Sequence, residues 1–493
     1  MKENIQYNTK VTSVITGIIC FLVCVFMLYF RPKESWYDDA FWADWALKLS
    51  QGNFITNVWG GGQPSYSPLY AIILAGWYKI VGFSFFAAQF PNLCFALATY
   101  LIICLDLPIG QFLNKKVSAI AFAICFWFAD VLFWIFNCGR VDTLCLLLGI
   151  LSIVSFVKAY ETHSTKHVLL MCLWSFLIMA TGFEGVLFTA VIIIIYSLMD
   201  IHTSIRRWKL YLVYIISSIA SFIAVVAWMA YHNCGKAFLR TLFGFSYTLN
   251  SIINFIETGH LTFENKVPIK KSMSIQDIFY NMTIDGILDN KEYVFFALVI
   301  IGLLIALYAL KKLNWKRTPP IVKALIISSI IVPWIYILAG RYAIYYTWAG
   351  YVPAIISFFI LVGKSKYEVS LSTIAGCIIL VWFCVCPEHT DFKRVDFTRK
   401  IDKQNLHDIQ MAQINKNEST YIPYKWYYYL ASENENLYFL GSGRYPKNMT
   451  KMIFSTDNEV KEWNETLELE FMYDIGTKKL YKVLGDKGKN ILR

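Results

Sequence analysis

The chain has 493 residues, of which 57% are hydrophobic and 16% are charged, and its formal net charge is +11. Soluble domains carry about 25% charged residues, because polar side chains have to cover their cores. The composition therefore excludes a soluble enzyme, a disordered chain and a secreted disulfide scaffold. It also excludes a β-barrel, whose alternating polar residues would interrupt the long apolar runs. It predicts an all-α multi-pass membrane protein.

Eleven apolar runs approach the roughly 17–25 residues that a helix needs to cross a bilayer. We place the spans at 11–30, 88–106, 118–137, 142–158, 168–183, 185–199, 210–231, 293–310, 322–339, 345–363 and 369–386. With a cytoplasmic N-terminus, every inner loop is basic and each short outer loop holds at most one basic residue, as the positive-inside rule requires. The sequence therefore predicts about eleven transmembrane helices in a cytoplasmic (inner or plasma) membrane.

Three polar segments lie on the outer side in this topology. The first outer loop, 31–87, contains stretches at 39–49 and 71–81 that are too short to span, and we expect them to form interfacial helices. The second outer loop is 232–292. The last segment, 387–493, contains runs that alternate like strands. It is predicted to be a small extracytoplasmic α+β domain that follows a transmembrane domain at 1–386.

Ionisable residues collect at the outer ends of the predicted spans. They are Asp38, Asp39, Asp44, Arg140, Asp142, Glu184 and Arg341. A charge at the centre of a membrane helix costs about 2.5–3.5 kcal/mol, so such residues are functional candidates. A transporter would place its charges near the midplane. Clustering on one side instead predicts chemistry at the outer membrane–water boundary.

The first outer loop carries an ordered series of short motifs, and a later basic-aromatic element accompanies them. The motifs are Asp38-Asp39, Ser67-Pro68-Leu69, Gly82-Phe83-Ser84, Gln89-Phe90-Pro91-Asn92 and the run from Arg341-Tyr342 to Tyr346. In this order and spacing they resemble the GT-C superfamily of membrane glycosyltransferases that use polyprenyl-phosphate-linked sugars. The resemblance is greatest to the branch of the protein O-mannosyltransferases and the lipid A aminoarabinose transferase, and it covers residues 11 to about 363.

The resemblance implies a GT-C-like fold and an enzyme of the cell envelope. Such an enzyme would move a sugar from a polyprenyl phosphate or diphosphate to a lipid, glycan or protein acceptor by inverting displacement. Asp38, with Asp39, would be the catalytic pair, with Asp38 as general base. The donor phosphate would be bound by Arg341, Arg140 and Tyr342, because a departing phosphate needs cationic or N–H donors. Contacts to the acceptor, or a second acid, would come from Asp142, Glu184 and Tyr66.

Other interpretations remain open. Carboxylates suit Mg²⁺ or Mn²⁺, and a bound divalent cation would be expected at Asp38, Asp39 and Asp142. The positive charge outside the tail is expected to meet membrane lipids, since no motif indicates nucleic acid. Members of the family often carry cations where Tyr66, Gln89 and Glu184 stand. A catalytically inactive scaffold of the same fold is therefore one alternative function. The other is a glycolipid or polysaccharide translocase, which would need polar groups along a route through the membrane, and Asp106 and Asp130 are the nearest candidates for that route.

Overall fold

The computed structural model of the protein describes residues 2–54, 66–107, 113–235, 238–239, 261–262, 268–269, 294–338, 344–386, 390–416, 418–434, 436–439, 449–465 and 467–486. Most of these residues are helical, and a small mixed sheet lies near the C-terminus. The predicted class, a helical multi-pass membrane protein with a small mixed C-terminal part, is confirmed at this level.

Helices account for most of the described elements, and many of them are joined by short connections. In chain order they are α1 (Lys2–Phe30), α2 (Tyr37–Ser50), α3 (Leu69–Val81), α4 (Phe85–Asp106), α5 (Lys116–Phe128), α6 (Asp130–Asn137), α7 (Asp142–Thr162), α8 (Thr165–Thr181), α9 (Phe183–Leu198), α10 (Ile201–Arg206), α11 (Trp208–Tyr231), α12 (Val294–Lys312), α13 (Pro320–Leu338), α14 (Trp348–Val362), α15 (Glu368–Val385), α16 (Thr390–Lys393), α17 (Lys400–Ala412), α18 (Tyr427–Leu430) and α19 (Asp457–Asn464). Short 3₁₀ helices lie at Trp315–Arg317, Ile344–Tyr346 and Tyr424–Trp426.

Each predicted span coincides with an apolar helix or, for 118–137, with the pair α5 and α6. Among the described residues, six helices are long and apolar enough to cross a membrane, or seven if the bent pair counts as one span. The apolar helices α8, α9 and α14 are shorter, with 17, 16 and 15 residues. The multi-pass character is therefore confirmed, and the number eleven stays a prediction.

The third predicted span is bent by 59° between α5 and α6. Ala129, at the break, has extended backbone angles (φ −61°, ψ 131°), which interrupt the helix. Asp130 follows the break and forms an ion pair with Lys393 of α16, and both side chains are largely buried. A buried charge is costly unless it is paired. The ion pair therefore compensates Asp130 and ties the C-terminal segment to the helices.

The two short helices predicted in the first outer loop are present as α2 and α3. α2 begins after Trp36, and Asp38 and Asp39 lie in its first turn, where carboxylates interact favourably with the helix dipole. Buried aromatic residues join the two helices, as where Trp42 meets Tyr70 edge-on with ring centroids 5.3 Å apart. This packing determines which way the first turn of α2 points.

The described part of the second predicted outer loop includes a strand pair, β1 (Leu261–Thr262) with β2 (Pro268–Ile269). The C-terminal part forms a five-stranded mixed sheet of β3 (Thr420–Tyr421), β4 (Leu437–Tyr438), β5 (Lys451–Phe454), β6 (Leu467–Ile475) and β7 (Lys478–Asp486), in the order β4-β3-β5-β7-β6. Strand-like runs at 436–440, 466–473 and 479–484 are the basis of the α+β prediction, and they correspond to β4, β6 and β7.

The C-terminal segment packs directly on the helices. Tyr428 of α18 stacks on Phe83, with ring centroids 5.9 Å apart, and meets Phe85 of α4 edge-on at 5.0 Å. Trp426 and Tyr427 belong to the same buried apolar core as α2 and α4. The division into domains at residue 387 stays a prediction, but the segment beyond it contributes side chains to the region around α2.

Candidate functional site

The start of α4 organises the region where the predicted site residues lie. Ser84 caps this helix by accepting a hydrogen bond from the Ala87 N–H at 3.0 Å. About two turns further on, Asn92 is fully buried, and its amide donates to the main-chain oxygens of Cys138 and of Arg140, the latter at 2.8 Å. The Asn92 carbonyl oxygen accepts from the Tyr70 hydroxyl at 3.1 Å. Asn92 thus holds the turn that carries Arg140.

Arg140 joins two of the predicted site carboxylates. Its guanidinium forms an ion pair with Asp38 from α2, and its Nε donates to Asp142 Oδ2 at 2.8 Å. The ring of Tyr345 lies 3.8 Å from the guanidinium carbon, close enough for a cation–π contact. Asp142 Oδ1 also accepts from the Trp348 indole N–H at 3.2 Å. These five residues are called the Arg140 cluster below.

The three charged members of the Arg140 cluster differ in accessibility. The side chains of Arg140 and Asp142 are 6% and 1% exposed, whereas that of Asp38 is 24% exposed. Burial raises the pKa of Asp38, and the positive charge of Arg140 opposes that shift. Asp38 is therefore the carboxylate of the cluster that an incoming molecule can reach.

Asp39, the next residue, lies in a separate and closed environment. It is fully buried, and its Oδ2 accepts a hydrogen bond from the Gln89 amide at 3.1 Å. The same amide donates to the Tyr428 hydroxyl, also at 3.1 Å. Burial raises the pKa of Asp39 to about 7, against the opposing charge of Arg31. Successive residues of an α-helix point about 100° apart, so the two neighbouring acids enter different surroundings.

Tyr66 lies close enough to the Arg140 cluster to interact with its charges, and Glu184 lies close enough to interact with Tyr66. Burial, followed by the charge of Asp38, raises the pKa of Tyr66, and Glu184 adds to the shift. Tyr66 is thus a neutral hydroxyl beside the accessible carboxylate. Glu184 lies in the first turn of α9, where its main-chain oxygen accepts from Tyr336 at 2.6 Å.

Two residues predicted to bind the donor phosphate, Arg341 and Tyr342, lie outside the described residues. The end of their motif is described, because Tyr345 belongs to the 3₁₀ helix Ile344–Tyr346 and contacts Arg140. One residue of the motif, Tyr345, therefore belongs to the Arg140 cluster.

The set of metal ligands expected from the sequence is not assembled in the described geometry. Asp38 and Asp142 share the cation of Arg140, and Asp39 bonds to Gln89 in its own buried environment. Among the residues that the structure describes, no group of three or more His, Cys, Asp or Glu side chains is placed to hold a metal ion. The divalent cation at Asp38, Asp39 and Asp142 therefore stays a prediction.

Several contributors to the region were not predicted. Tyr428 bonds to Gln89, Tyr427 donates to Asp44 at 3.3 Å, and Trp348 donates to Asp142. The two tyrosines come from the C-terminal segment, more than 330 residues away from their partners. Asn92 was noticed only as part of a motif, and no local pattern indicates its bonds to the Arg140 turn.

Comparison of the amino-acid sequence with family models and with curated proteins finds no match. Comparison of the fold with solved structures finds similar proteins. ArnT from Cupriavidus metallidurans, bound to undecaprenyl phosphate, is similar over 95% of this chain and 97% of its own, with a TM-score of 0.58 and 12% identity.

The oligosaccharyltransferase of Archaeoglobus fulgidus is similar as well. Its apo form gives a TM-score of 0.52 and 11% identity over 98% of this chain and 75% of its own. Its complex with Zn and sulfate gives a TM-score of 0.51 and 11% identity, over 94% of this chain and 72% of its own. These are GT-C membrane glycosyltransferases, so the predicted resemblance is confirmed at the level of the fold.

Proposed function

We propose that the protein is a membrane glycosyltransferase that moves a sugar from a polyprenyl phosphate or diphosphate to a hydroxyl acceptor at the outer membrane surface. The observation that carries the proposal is the accessible carboxylate of Asp38, held in the Arg140 cluster of a GT-C-like fold. The similarity to a structure of ArnT bound to undecaprenyl phosphate supports a lipid-linked donor.

Asp38 is the general base in this proposal. The acceptor hydroxyl gives its proton to the Asp38 carboxylate while its oxygen forms a bond to the anomeric carbon of the donor. The bond from that carbon to the phosphate oxygen breaks, and the phosphate leaves with the electron pair. Because burial raises the pKa of Asp38, the carboxylate accepts a proton more readily at neutral pH than an exposed aspartate does. Displacement from one face inverts the anomeric centre.

Arg140 serves mainly to position the base. One guanidinium compensates two carboxylates, Asp38 and Asp142, so the three groups carry a net charge of −1. A donor phosphate therefore needs a further cation, and Arg341, in the motif that contains Tyr345, is the residue that we propose for it together with Tyr342. The charges of Asp38 and Glu184 both act on Tyr66, and Tyr66 and Glu184 are proposed to contact the acceptor.

The remaining predictions complete the proposal. We retain about eleven spans with a cytoplasmic N-terminus in the cytoplasmic membrane, so that the Arg140 cluster faces outward. The C-terminal segment then lies outside the cytoplasm and covers the closed side of α2 through Tyr428. The acids considered for a translocation route, Asp106 and Asp130, are both ion-paired, to Lys158 and Lys393, so neither favours the translocase.

The test uses the full chain, purified into nanodiscs and given radiolabelled polyprenyl-phosphate sugars with a membrane extract as the source of acceptor. We expect transfer by the wild type and a loss of about 10²–10⁴-fold in Asp38→Asn. Asp106→Asn is the matched control, because it removes a carboxylate whose side chain is 38% exposed and lies in a different ion pair. Equal transfer by Asp38→Asn would contradict the role of Asp38. No transfer by the wild type from any donor would contradict the transferase.

A further inference from the structure

A polar pocket lies apart from the Arg140 cluster, whose five residues do not line it. It has a volume of about 450 Å³ and lies where α1 ends, α4 begins and the C-terminal segment packs on both. This volume falls within the roughly 300–1,000 Å³ typical of small-molecule sites. Tyr428 lines the pocket. Its hydroxyl accepts a hydrogen bond from the Gln89 amide, and the same amide donates a second hydrogen bond to Asp39. The pocket is therefore separated from Asp38 by a layer of buried side chains.

Among the residues that the structure describes, three cations and no acidic residue line this pocket. They are Arg31, Lys33 and Arg399. Asp402, which contacts Lys33 and Arg399, already accepts from the Lys33 N–H at 2.9 Å and the Tyr429 hydroxyl at 2.6 Å, and it pairs with Arg399 at 3.4 Å. The pocket thus carries an excess of positive charge.

Arg31 is only 2% exposed, yet one of its donors lacks a partner. Its Nη1 donates to the Asn137 main-chain oxygen at 2.6 Å, while Nη2 has no hydrogen-bond partner among the described residues. The rings of Phe85 and Phe392 lie 4.7 and 4.9 Å from its guanidinium carbon. A buried donor left unbonded is costly, and an anion in the pocket would satisfy it.

The surface beside the pocket is apolar and exposed. Tyr29 at the end of α1 is 59% exposed, and Phe397 of the C-terminal segment is 66% exposed. Phe397 packs against Phe30, with ring centroids 5.0 Å apart, and Arg399 donates to the Tyr29 main-chain oxygen at 2.7 Å. Aromatic side chains next to cations at the end of a span are typical of the lipid headgroup level. A ligand that reaches this pocket therefore comes from the membrane.

We propose that the pocket lined by Arg31, Lys33 and Arg399 binds the phosphate headgroup of an anionic membrane lipid, separately from the site at Asp38. The acyl chains would lie along the exposed aromatic residues at the end of α1, and the phosphate would accept from the guanidinium groups. Serine hydroxyls at Ser84 and Ser432 also line the pocket. The proposal does not depend on the glycosyltransferase activity.

The test measures lipid association with the full chain in nanodiscs of phosphatidylcholine, by electron spin resonance of spin-labelled phosphatidylglycerol and spin-labelled phosphatidylcholine. We expect the wild type to prefer phosphatidylglycerol at least about fivefold, and Lys33→Gln to reduce that preference about fivefold, since one cation near the surface contributes about this factor. Ser432→Glu adds a carboxylate at an exposed position of the pocket wall and should have a similar effect. Lys403→Gln, an exposed lysine outside the pocket, is the matched control and should change the preference less than twofold.

Two results would overturn the proposal. One is an equal loss of preference in Lys403→Gln, which would mean that diffuse surface charge attracts the lipid. The other is full competition by water-soluble glycerol phosphate or inorganic phosphate at the lipid's own concentration, which would make the pocket a site for free phosphate. Retained transfer of sugar by Lys33→Gln, whatever the lipid result, would show that the two proposals are independent.

Discussion

The two acids at the start of α2 are neighbours in the chain but belong to unlike surroundings. Asp38 is partly exposed and paired with a cation that also holds Asp142. Asp39 is fully buried, bonded to a neutral amide, and has a pKa near 7. One side is charged and open, whereas the other is nearly neutral and closed by Tyr428. The difference teaches that a pair of acids in a motif need not act as a pair.

The largest expected effect separates the two acids directly. Asp38→Asn should lower the rate of sugar transfer about 10²–10⁴-fold, because it removes the base, and Asp39→Asn should leave the rate within about threefold, because Gln89 can still bond to the new amide oxygen. Single-turnover transfer assays with both variants measure this contrast. A comparable loss in both would indicate that Asp39 takes part in the reaction, as the resemblance implies.

The next effect concerns stability on the charged side. Arg140→Gln leaves Asp38 and the buried Asp142 without their cation, and the expected cost is about 3–5 kcal/mol. Unfolding of the detergent-solubilised protein by urea or heat measures this loss. The double variant Arg140→Gln with Asp38→Asn should recover part of it. An unchanged unfolding midpoint in Arg140→Gln would show that the ion pairs contribute nothing to folding.

A smaller effect is expected where the two sides meet. A methyl group on Gly139 would lie 3.2 Å from the Gln89 side-chain oxygen and 3.3 Å from the Ala88 main-chain oxygen. Gly139→Ala should therefore cost about 1–3 kcal/mol and disturb Gln89 and Arg140 together. Gly76→Ala in α3 is the control, since nothing lies within 4 Å of the added methyl. Equal stability of the two variants would show that the Arg140 turn can move away from α4.

Much of the fold was predictable because membrane helices depend on long apolar runs. Every predicted span corresponds to a helix or to the bent pair α5 and α6, but the bend at Ala129 was not foreseen, since no proline or glycine marks it. The strands β6 and β7 were also indicated by alternation. The run 436–440 likewise indicated β4, whereas β3 has only two residues, which is too short for a clear pattern.

The candidate site was predictable as a set of residue types and not as a geometry. The one-sided placement of charges brought Asp38, Arg140 and Asp142 together as candidates, and the structure places them in one cluster. Arg140 was expected to bind phosphate, yet two carboxylates already surround it. Gln89 was noted for lacking a charge, whereas in the structure it is buried between Asp39 and Tyr428. These contacts link distant parts of the chain, and local patterns carry no information about them.

The last test examines the closed side of α2 through pH. Asp39 has a pKa of about 7 in the folded protein and about 3.9 in an unfolded chain, so between these values the folded state holds more protons. Its contribution to stability is therefore fully present below about pH 4 and is lost as the pH rises towards 7, by up to about 1.4 kcal/mol per pH unit. Asp39→Asn cannot ionise, so the difference in unfolding free energy between variant and wild type should grow in favour of the variant over this window. Denaturation in detergent at several pH values measures the slope of that difference. A slope of zero would mean that Asp39 is ionised in the folded protein, with the charge of Arg31 compensating it fully, and the contrast between a charged side and a nearly neutral side of α2 would fail.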